Sequence, residues 1–162
     1  MKTAYFAGGC FWCVTPVFEE LDGLIGVRCG YSGGDEADPT YEDVKRQLTG
    51  HRESLRVEYD EARIGYGELL DVFLASVDPF DGGGQYIDRG HSYTLAVYYA
   101  DDAERAAAEE KLRQLESESG QPVCVALERF KNFYDAEEYH QEYYKKNPEA
   151  FARELRESGR AK

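Results

Sequence analysis

The sequence predicts a single α/β or α+β domain, and three observations support this. The chain has 162 residues, of which 42% are hydrophobic and 14% aromatic, so it can form one substantial core and is not expected to be disordered. Strand-like and helical runs alternate along it. Two long stretches rich in Gly, Asp and Pro, Ser32–Thr40 and Asp78–Ser92, predict irregular loops of a length that is often functional. Because no repeat or linker divides the chain, we expect residues 1–162 to form one domain.

Five runs are predicted to be strands. In Leu55–Tyr59, apolar and charged side chains alternate, which indicates a strand buried on one face. Tyr93–Ala100 is almost entirely apolar or aromatic, as is typical of a central strand. The predicted strands are Thr3–Ala7, Gly26–Tyr31, Leu55–Tyr59, Tyr93–Ala100 and Pro122–Leu127.

Five further runs are predicted to be helices. Ala103–Glu118 is rich in Ala, Glu, Lys, Leu and Arg, all strong helix formers, and Gly120 and Pro122 are expected to end it. The predicted helices are Tyr41–Leu48, Tyr66–Val77, Ala103–Glu118, Asp135–Lys145 and Pro148–Glu157.

A sixth helix is predicted after the first strand, with an uncertain start. Pro16 would lie beyond the first turn of a helix that begins at Phe11, where proline removes a hydrogen bond. The helix could instead begin at Pro16, with Thr15 as the N-cap. We expect a first turn at Cys10–Cys13 that runs irregularly into a helix ending near Leu21.

The charge of the chain excludes several classes of partner. The net charge is −13, which argues against binding to nucleic acid or to an anionic membrane surface. No segment is apolar for long enough to span a membrane, and Met1-Lys2 leads directly into a strand rather than a secretory signal. We therefore expect a cytoplasmic protein, whose four cysteines are thiols, catalytic groups or metal ligands rather than structural disulfides.

The cysteines with C-x-x-C spacing, Cys10 and Cys13, are the main candidates for chemistry. A helix that starts beside Cys10 would lower the pKa of its thiol, and one helical turn would place both sulfurs on the same face. Redox catalysis is the favoured interpretation, with a zinc site or a pair of buried core thiols as alternatives. A zinc site needs more ligands than this pair offers. The remaining candidate ligands are isolated in the sequence: Cys29, Cys124, His51, His91 and His140.

Seven runs resemble motifs of the peptide methionine sulfoxide reductase A family, in the same order along the chain. The most specific of them is the Gly-Cys-Phe-Trp signature, and the next motif along the chain is G-Y-x-G-G. In full, the matching runs are GGCFW at 8–12, GYSGG at 30–34, DPTY at 38–41, GHRE at 50–53, DRGHSY at 88–93, FYDAEEYHQ at 133–141 and KNP at 146–148. Members of this family act on the S epimer of methionine sulfoxide.

The resemblance implies catalytic roles for four residues. Cys10 would be the nucleophile, which leaves the reaction as a sulfenic acid. Glu53 would be the proton donor, a role that an apolar pocket supports because burial raises the pKa of a carboxyl group. Tyr41 and Tyr93 would donate hydrogen bonds to the sulfoxide oxygen, although in a chain with thirteen tyrosines either one could simply pack in the core.

The resemblance also implies a substrate pocket. Phe11 and Trp12 would form an apolar wall for the S-methyl group of the substrate, or alternatively pack in the core. Asp88 would line the substrate side, although an Asp in a loop can equally serve the turn itself. His51 and His140 could each tune a neighbour but are expected to be structural histidines with satisfied hydrogen bonds.

The chain departs from the common family pattern at the step that recycles Cys10. Many members have glycine where this chain has Cys13, and they carry resolving cysteines in a C-terminal tail, whereas no cysteine follows Cys124 here. We therefore expect Cys13 to form a disulfide with Cys10, which an external dithiol such as thioredoxin or glutaredoxin would reduce. Cys29 and Cys124 are expected to be core thiols and are reserve candidates for this step.

The family also implies a fold: an α+β, single-domain two-layer sandwich with a central mixed sheet, helices around it and long irregular loops. The alternation of strands and helices alone would instead suggest a parallel sheet. We expect a monomer that binds no cofactor or metal and acts on oxidised proteins or free methionine sulfoxide. The alternative function is a general thiol–disulfide oxidoreductase that uses the same C-x-x-C pair.

Overall fold

A computed structural model describes residues 1–141 and 143–158. Its centre is a six-stranded sheet with the strand order β7-β6-β1-β3-β2-β8. The sheet strands are β1 (Lys2–Gly8), β2 (Leu24–Ser32), β3 (Arg52–Tyr59), β6 (Leu95–Tyr99), β7 (Val125–Arg129) and β8 (Tyr134–Asp135), and a separate hairpin is formed by β4 (Gly84–Gln85) and β5 (Asp88–Arg89). The helices are α1 (Phe11–Glu19), α2 (Tyr41–Lys45), α3 (Tyr66–Ser76), α4 (Asp102–Ser119), α5 (Tyr143–Lys146) and α6 (Pro148–Ser158).

The sheet is mixed, as the family resemblance implies, rather than parallel. The central strand β1 is antiparallel to both of its neighbours, β3 and β6, and only β6 and β7 are parallel. A strand can turn back directly on its neighbour only in an antiparallel pair, whereas the parallel pair needs the crossover that α4 supplies. The expectation of a parallel sheet from alternation alone was therefore wrong.

The main core lies between one face of the sheet and the helices α1 and α3. Phe6 of β1 is fully buried there, with its ring 5.5 Å from that of Phe18 and 5.0 Å from that of Phe73. The next residue, Ala7, points to the other face because side chains alternate along a strand. On that face it packs in a smaller cluster with Ala96 and Tyr98. The alternation in β1 thus directs Phe6 toward α1 and α3 and Ala7 toward the opposite face.

The first helix is regular despite its proline. It runs without a break from Phe11 to Glu19 and includes Pro16, so neither an irregular run nor a start at Pro16 is correct. Thr15 does not cap the helix; its hydroxyl donates to the carbonyl oxygen of Phe11 within it. Cys10 is therefore the residue immediately before the helix.

The predicted helix Asp135–Lys145 is wrong over Asp135–Gln141, whereas Glu142 lies outside the described residues and Tyr143–Lys145 belong to the short helix α5. Asp135 ends the short strand β8, which pairs with Gly30 and Tyr31 of β2, and a 3₁₀ turn at Glu138–His140 follows. Gln141 then donates to the carbonyl oxygen of Cys29 and accepts from its N–H, at 2.9 and 2.8 Å. Pairing with the edge of β2 overrides the helical propensity of this acidic segment.

Other boundaries differ only slightly from the predictions. Tyr93 lies in a 3₁₀ turn just before β6 rather than in the strand itself. Gly120 ends α4 in the left-handed conformation, at φ 70°, as expected. No helix in the described part of the chain is long and apolar enough to cross a membrane.

Replacing Gly30 with alanine is expected to destabilise the fold, because β8 approaches β2 most closely there. A Cβ atom at this position would overlap the Phe133 ring and the carbonyl oxygen of Tyr134. Overpacking of this kind costs about 2 kcal/mol, which thermal unfolding would register as a lower Tm. Gly26→Ala is the control, because a Cβ atom on Gly26, in the same strand, has nothing within 4 Å. Equal Tm values for the two variants would contradict this account of the β2–β8 contact.

Candidate active site

The two cysteines of the C-x-x-C pair lie at the start of α1, where β1 ends. Cys10 is half-buried and Cys13 is 9% exposed. The first helical turn brings them together: the N–H of Cys13 donates to the carbonyl oxygen of Cys10 at 3.1 Å, and the two thiols are hydrogen-bonded to each other. The first turn of α1 thus places the two thiols close enough to influence each other's protonation.

Glu53 lies beside this turn, near the start of β3. Its side chain is 1% exposed, and its Oε1 atom accepts a hydrogen bond from the N–H of Phe11 at 3.2 Å. Burial raises the pKa of this carboxyl group to about 8, and the nearby charge of Asp88 adds to the effect. The hydrogen bond from Phe11 and the charge of Lys45 oppose the shift without cancelling it. At neutral pH, Glu53 therefore holds a proton next to Cys10.

The pKa of the Cys10 thiol is raised, contrary to the sequence-based expectation. The main cause is its hydrogen bond with Cys13, followed by burial and by the charges of Cys13, Glu53 and Asp88. The N-terminus of α1 does little to lower this pKa, because the first N–H group of the helix donates its hydrogen bond to Glu53 rather than to the thiol. In the substrate-free site, both Cys10 and Glu53 are therefore protonated.

Tyr41 and Tyr93 reach the same place from two different elements. Tyr41 is the first residue of α2, and Tyr93, which is 8% exposed, ends the 3₁₀ turn before β6. Burial raises the pKa of both phenols, and so do the charges of Glu53, Cys10 and Asp88. Both hydroxyl groups therefore keep their protons and can donate hydrogen bonds.

Aromatic rings form a wall beside Cys10. The ring of Trp12 lies 6.1 Å from that of Phe11 and 6.2 Å from that of Tyr41. His140 completes the cluster, at 4.3 Å from Tyr41 and 5.3 Å from Trp12. Phe11 is buried while Trp12 and Tyr41 are partly exposed, so the wall has an accessible side.

Asp88 approaches the cluster from the β4–β5 hairpin. It is half-buried, and its charge raises the pKa of Cys10, Glu53 and both phenols. The loop that follows is held by Gln47, whose amide bonds to both the hydroxyl and the N–H of Ser92, at 2.7 and 3.0 Å. Asp88 and Tyr93 are thus presented by one anchored loop.

The other two cysteines lie in different surroundings. Cys29 is buried in β2, where its thiol lies 3.3 Å from the hydroxyl of Thr15, and burial raises its pKa to about 12. Cys124 is half-buried before β7, and its N–H donates to the carbonyl oxygen of Pro79. No group of His, Cys, Asp and Glu in residues 1–141 and 143–158 is arranged to hold a metal ion.

The two histidines differ. His51 is fully buried and satisfied, since its Nδ1 accepts from the N–H of Gly34 and its Nε2 bonds to the carbonyl oxygen of Glu36. His140 is 1% exposed, but neither of its ring nitrogens has a hydrogen-bond partner among the described residues. The expectation of a satisfied histidine is correct for His51 and wrong for His140, whose ring instead packs against aromatic faces.

Sequence reasoning missed Glu137. Its carboxylate accepts hydrogen bonds from the hydroxyl of Tyr31 at 2.8 Å and from the N–H of Tyr41 at 3.1 Å. The residue lies in the FYDAEEYHQ motif at 133–141, but the helix predicted there directed attention away from contacts with distant strands. The only available signal was the position of a glutamate within a matching motif.

Comparison with known proteins gives a consistent result. The family described as peptide methionine sulfoxide reductase matches residues 2–162. A peptide methionine sulfoxide reductase MsrA from Ligilactobacillus salivarius is 46% identical over 155 residues, which cover 94% of this chain and 90% of the relative. One from Bacillus licheniformis is 44% identical over 162 residues, which cover 98% and 89%.

Solved structures agree with the sequence matches. The reduced form of Mxr1 from Saccharomyces cerevisiae superimposes with a TM-score of 0.86 at 32% identity, covering 91% of this chain and 86% of that one. Methionine sulfoxide reductase A of Corynebacterium diphtheriae gives 0.81 at 28% identity, covering 91% and 75%. The chain therefore belongs to the peptide methionine sulfoxide reductase family and is an oxidoreductase that returns methionine sulfoxide to methionine.

Proposed function

We propose that this chain reduces the S epimer of methionine sulfoxide, with Cys10 as nucleophile and Glu53 as proton donor. The observation that carries the proposal is the buried Glu53 carboxyl group, bonded to the N–H of Phe11 at 3.2 Å beside Cys10. Its pKa of about 8 keeps it protonated at neutral pH. A sulfoxide oxygen accepts that proton as the sulfur is attacked, so a buried acid beside a thiol suits this reaction.

The first step oxidises Cys10 and reduces the substrate. The Cys10 sulfur bonds to the sulfoxide sulfur while Glu53 protonates the oxygen, and the thiol proton passes to the Glu53 carboxylate. The oxygen then leaves the substrate on Cys10 as a sulfenic acid, and methionine is released. The methionine sulfur gains the two electrons that the Cys10 sulfur loses, and Glu53 ends the step protonated.

The surrounding side chains bind and orient the sulfoxide. Tyr41 and Tyr93 donate hydrogen bonds to its oxygen, since their raised pKa values keep both phenols protonated. Phe11 and Trp12 provide the apolar wall for the S-methyl group, and Asp88 lines the substrate side. The wall has an accessible side at Trp12, which supports oxidised methionine in proteins as well as the free amino acid.

Cys13 regenerates Cys10. Its thiol is already hydrogen-bonded to Cys10, so it can attack the sulfenic acid, form the Cys10–Cys13 disulfide and release water. Cys29 is less suited, because its thiol is buried against Thr15. A dithiol donor such as thioredoxin or glutaredoxin then reduces the disulfide by exchange, and no bound cofactor is needed. We place this cycle in one catalytic domain that acts as a monomer in the cytoplasm, where four free thiols are typical.

An assay that resolves the two sulfoxide epimers tests this proposal. With dithiothreitol as reductant, the protein is expected to consume the S epimer and leave the R epimer unchanged, because the methyl wall and the two phenols accept one arrangement around the sulfur. Both free and peptide-bound methionine sulfoxide are supplied, and reduction of insulin disulfides is measured in parallel. Consumption of the R epimer would contradict the assignment. Rapid insulin reduction without sulfoxide turnover would favour a general thiol–disulfide oxidoreductase.

A further inference from the structure

One carboxylate links two parts of the site that are far apart in the sequence. Glu137 follows β8, and both of its carboxylate oxygens accept hydrogen bonds: Oε1 from the Tyr31 hydroxyl at 2.8 Å and Oε2 from the N–H of Tyr41 at 3.1 Å. The partners lie 106 and 96 residues away along the chain. Burial opposes ionisation of this carboxyl group, but its hydrogen bonds from backbone and side-chain donors lower its pKa, so it is charged at neutral pH.

The contact with Tyr41 holds a helix that has few other anchors. Helix α2 has only five residues, and Val44 is the only one that is buried. Tyr41 is its first residue, so its N–H has no acceptor within the helix. A carboxylate at this position satisfies that donor and also lies at the positive end of the helix. Without Glu137, the start of α2 would keep the cap that Thr40 and Asp43 form and the packing of the Tyr41 ring against Trp12 and His140, but its first N–H would lose its acceptor.

The contact with Tyr31 ties the same carboxylate to the strands that carry the acid. Tyr31 is fully buried in β2, directly opposite Glu53 of β3, and its ring lies 6.0 Å from that of Phe11. Glu137 therefore connects the backbone of Tyr41 to the strand pair that holds Glu53. This connection acts together with the aromatic packing of the Tyr41 ring to set where the phenol lies relative to the acid.

We propose that Glu137 is a positioning residue for sulfoxide reduction, which fixes the Tyr41 phenol relative to Glu53 through its bonds to the Tyr41 N–H and the Tyr31 hydroxyl. Glu137 acts through Tyr41 and makes no contact with substrate. The inference rests on the hydrogen bond proposed above between Tyr41 and the sulfoxide oxygen.

Glu137→Ala is expected to lower kcat/KM for a peptide-bound S-sulfoxide by about 10-fold, because a displaced phenol stabilises the transition state less well. The loss is expected mainly in kcat, since the methyl wall still binds the substrate. Glu138→Ala is the matched control: it removes the same charge one residue away, from an exposed side chain that pairs with Arg28 at 3.6 Å. Equal activities for the two variants would overturn the proposal.

Tyr41→Phe separates positioning from a direct role. If Glu137 acts through Tyr41, the two changes remove the same interaction. Adding Glu137→Ala to Tyr41→Phe should then lower kcat/KM by less than about 2-fold beyond the loss in Tyr41→Phe alone. If the losses in kcat/KM from Glu137→Ala and Tyr41→Phe instead multiply in the double variant, the two residues act independently and the proposal is overturned. If Tyr41→Phe alone keeps full activity, the role of Tyr41 itself fails, and the role of Glu137 fails with it. If Tyr41→Phe loses activity and Glu137→Ala does not, only the positioning role fails.

Two further variants distinguish positioning from misfolding. Glu137→Ala leaves the buried Tyr31 hydroxyl without its acceptor, so adding Tyr31→Phe should restore the Tm but not kcat. Recovery of kcat together with Tm would mean that Glu137 matters only for stability, which would overturn the proposal. Glu137→Gln can still accept from the Tyr41 N–H and donate to the Tyr31 hydroxyl, so it should retain kcat to within about 3-fold. A loss in Glu137→Gln as large as in the alanine variant would contradict the role of this hydrogen bond.

Discussion

Replacing Cys10 with serine is expected to abolish methionine sulfoxide reduction, with no product above the uncatalysed background. The hydroxyl group has nearly the size of the thiol but is a far weaker nucleophile toward sulfur and cannot form a sulfenic acid. Conversion of a peptide S-sulfoxide to the corresponding methionine peptide is measured with dithiothreitol as reductant. Residual turnover above a tenth of the wild-type rate would exclude Cys10 as the nucleophile.

Cys13→Ser provides the informative contrast to this variant. Because the first step needs only Cys10, the variant should release about one methionine per protein molecule before the sulfenic acid must be resolved. A dimedone adduct on Cys10, detected by mass spectrometry, would identify that intermediate. Wild-type protein treated with substrate alone should instead contain a Cys10–Cys13 disulfide. A bridge from Cys10 to Cys29 or Cys124 would contradict the role given to Cys13.

Replacing Glu53 with glutamine is expected to slow the reduction step by about 100- to 1,000-fold, the usual contribution of a general acid. The amide can still accept the hydrogen bond from the Phe11 N–H, so the change removes the transferable proton while preserving the shape of the site. Single-turnover methionine release isolates this step from disulfide recycling. Glu58→Gln, also in β3 but paired with Arg56 at 3.5 Å, is the control and should keep the wild-type rate.

The pH dependence provides a second readout for Glu53. The reactive form holds protons on both Cys10 and Glu53, so the wild-type rate should fall as pH rises through about 8, the pKa of Glu53. The glutamine variant should lack that decline. The folded-state pKa is raised above the usual 4.5, so Glu53 stabilises the fold least once it ionises, above pH 8. Because the carboxyl group ionises near pH 4.5 in the unfolded chain but only near pH 8 in the folded protein, the Tm of Glu53→Gln should fall less than that of the wild type between about pH 5 and 8, and the two should change in parallel above that. If the rate of the variant falls with pH as the wild-type rate does, that fall is caused by the ionisation of a group other than Glu53.

The sequence allows the regular parts of the fold to be predicted because local and tertiary preferences agree there. Helix α4 has strong helix formers throughout and a left-handed Gly120 at its end, and its predicted bounds are nearly correct. The prediction fails over Asp135–Gln141 because this segment contacts β2, more than a hundred residues earlier, and no local pattern encodes such pairing.

The candidate site, like the fold, could be predicted from the sequence only in part. The motifs locate Cys10 and Glu53, and the structure places them side by side. The pKa of Cys10 could not be predicted from its position before a helix, because the hydrogen bond with Cys13 and the burial of the thiol, which raise it, depend on the packed structure. Glu137 could not be found because its function depends on the hydroxyl of one distant tyrosine and the backbone of another.

The bonds between Gln141 and the backbone of Cys29 also have a consequence for aggregation. An amide side chain takes the place of a neighbouring strand where β8 no longer pairs with β2, so it blocks both hydrogen-bonding groups that a foreign strand would use. The side chain that does this lies 112 residues after Cys29. While the protein is being synthesised, this part of the sheet edge therefore stays open to pairing with other chains until Gln141 has emerged from the ribosome.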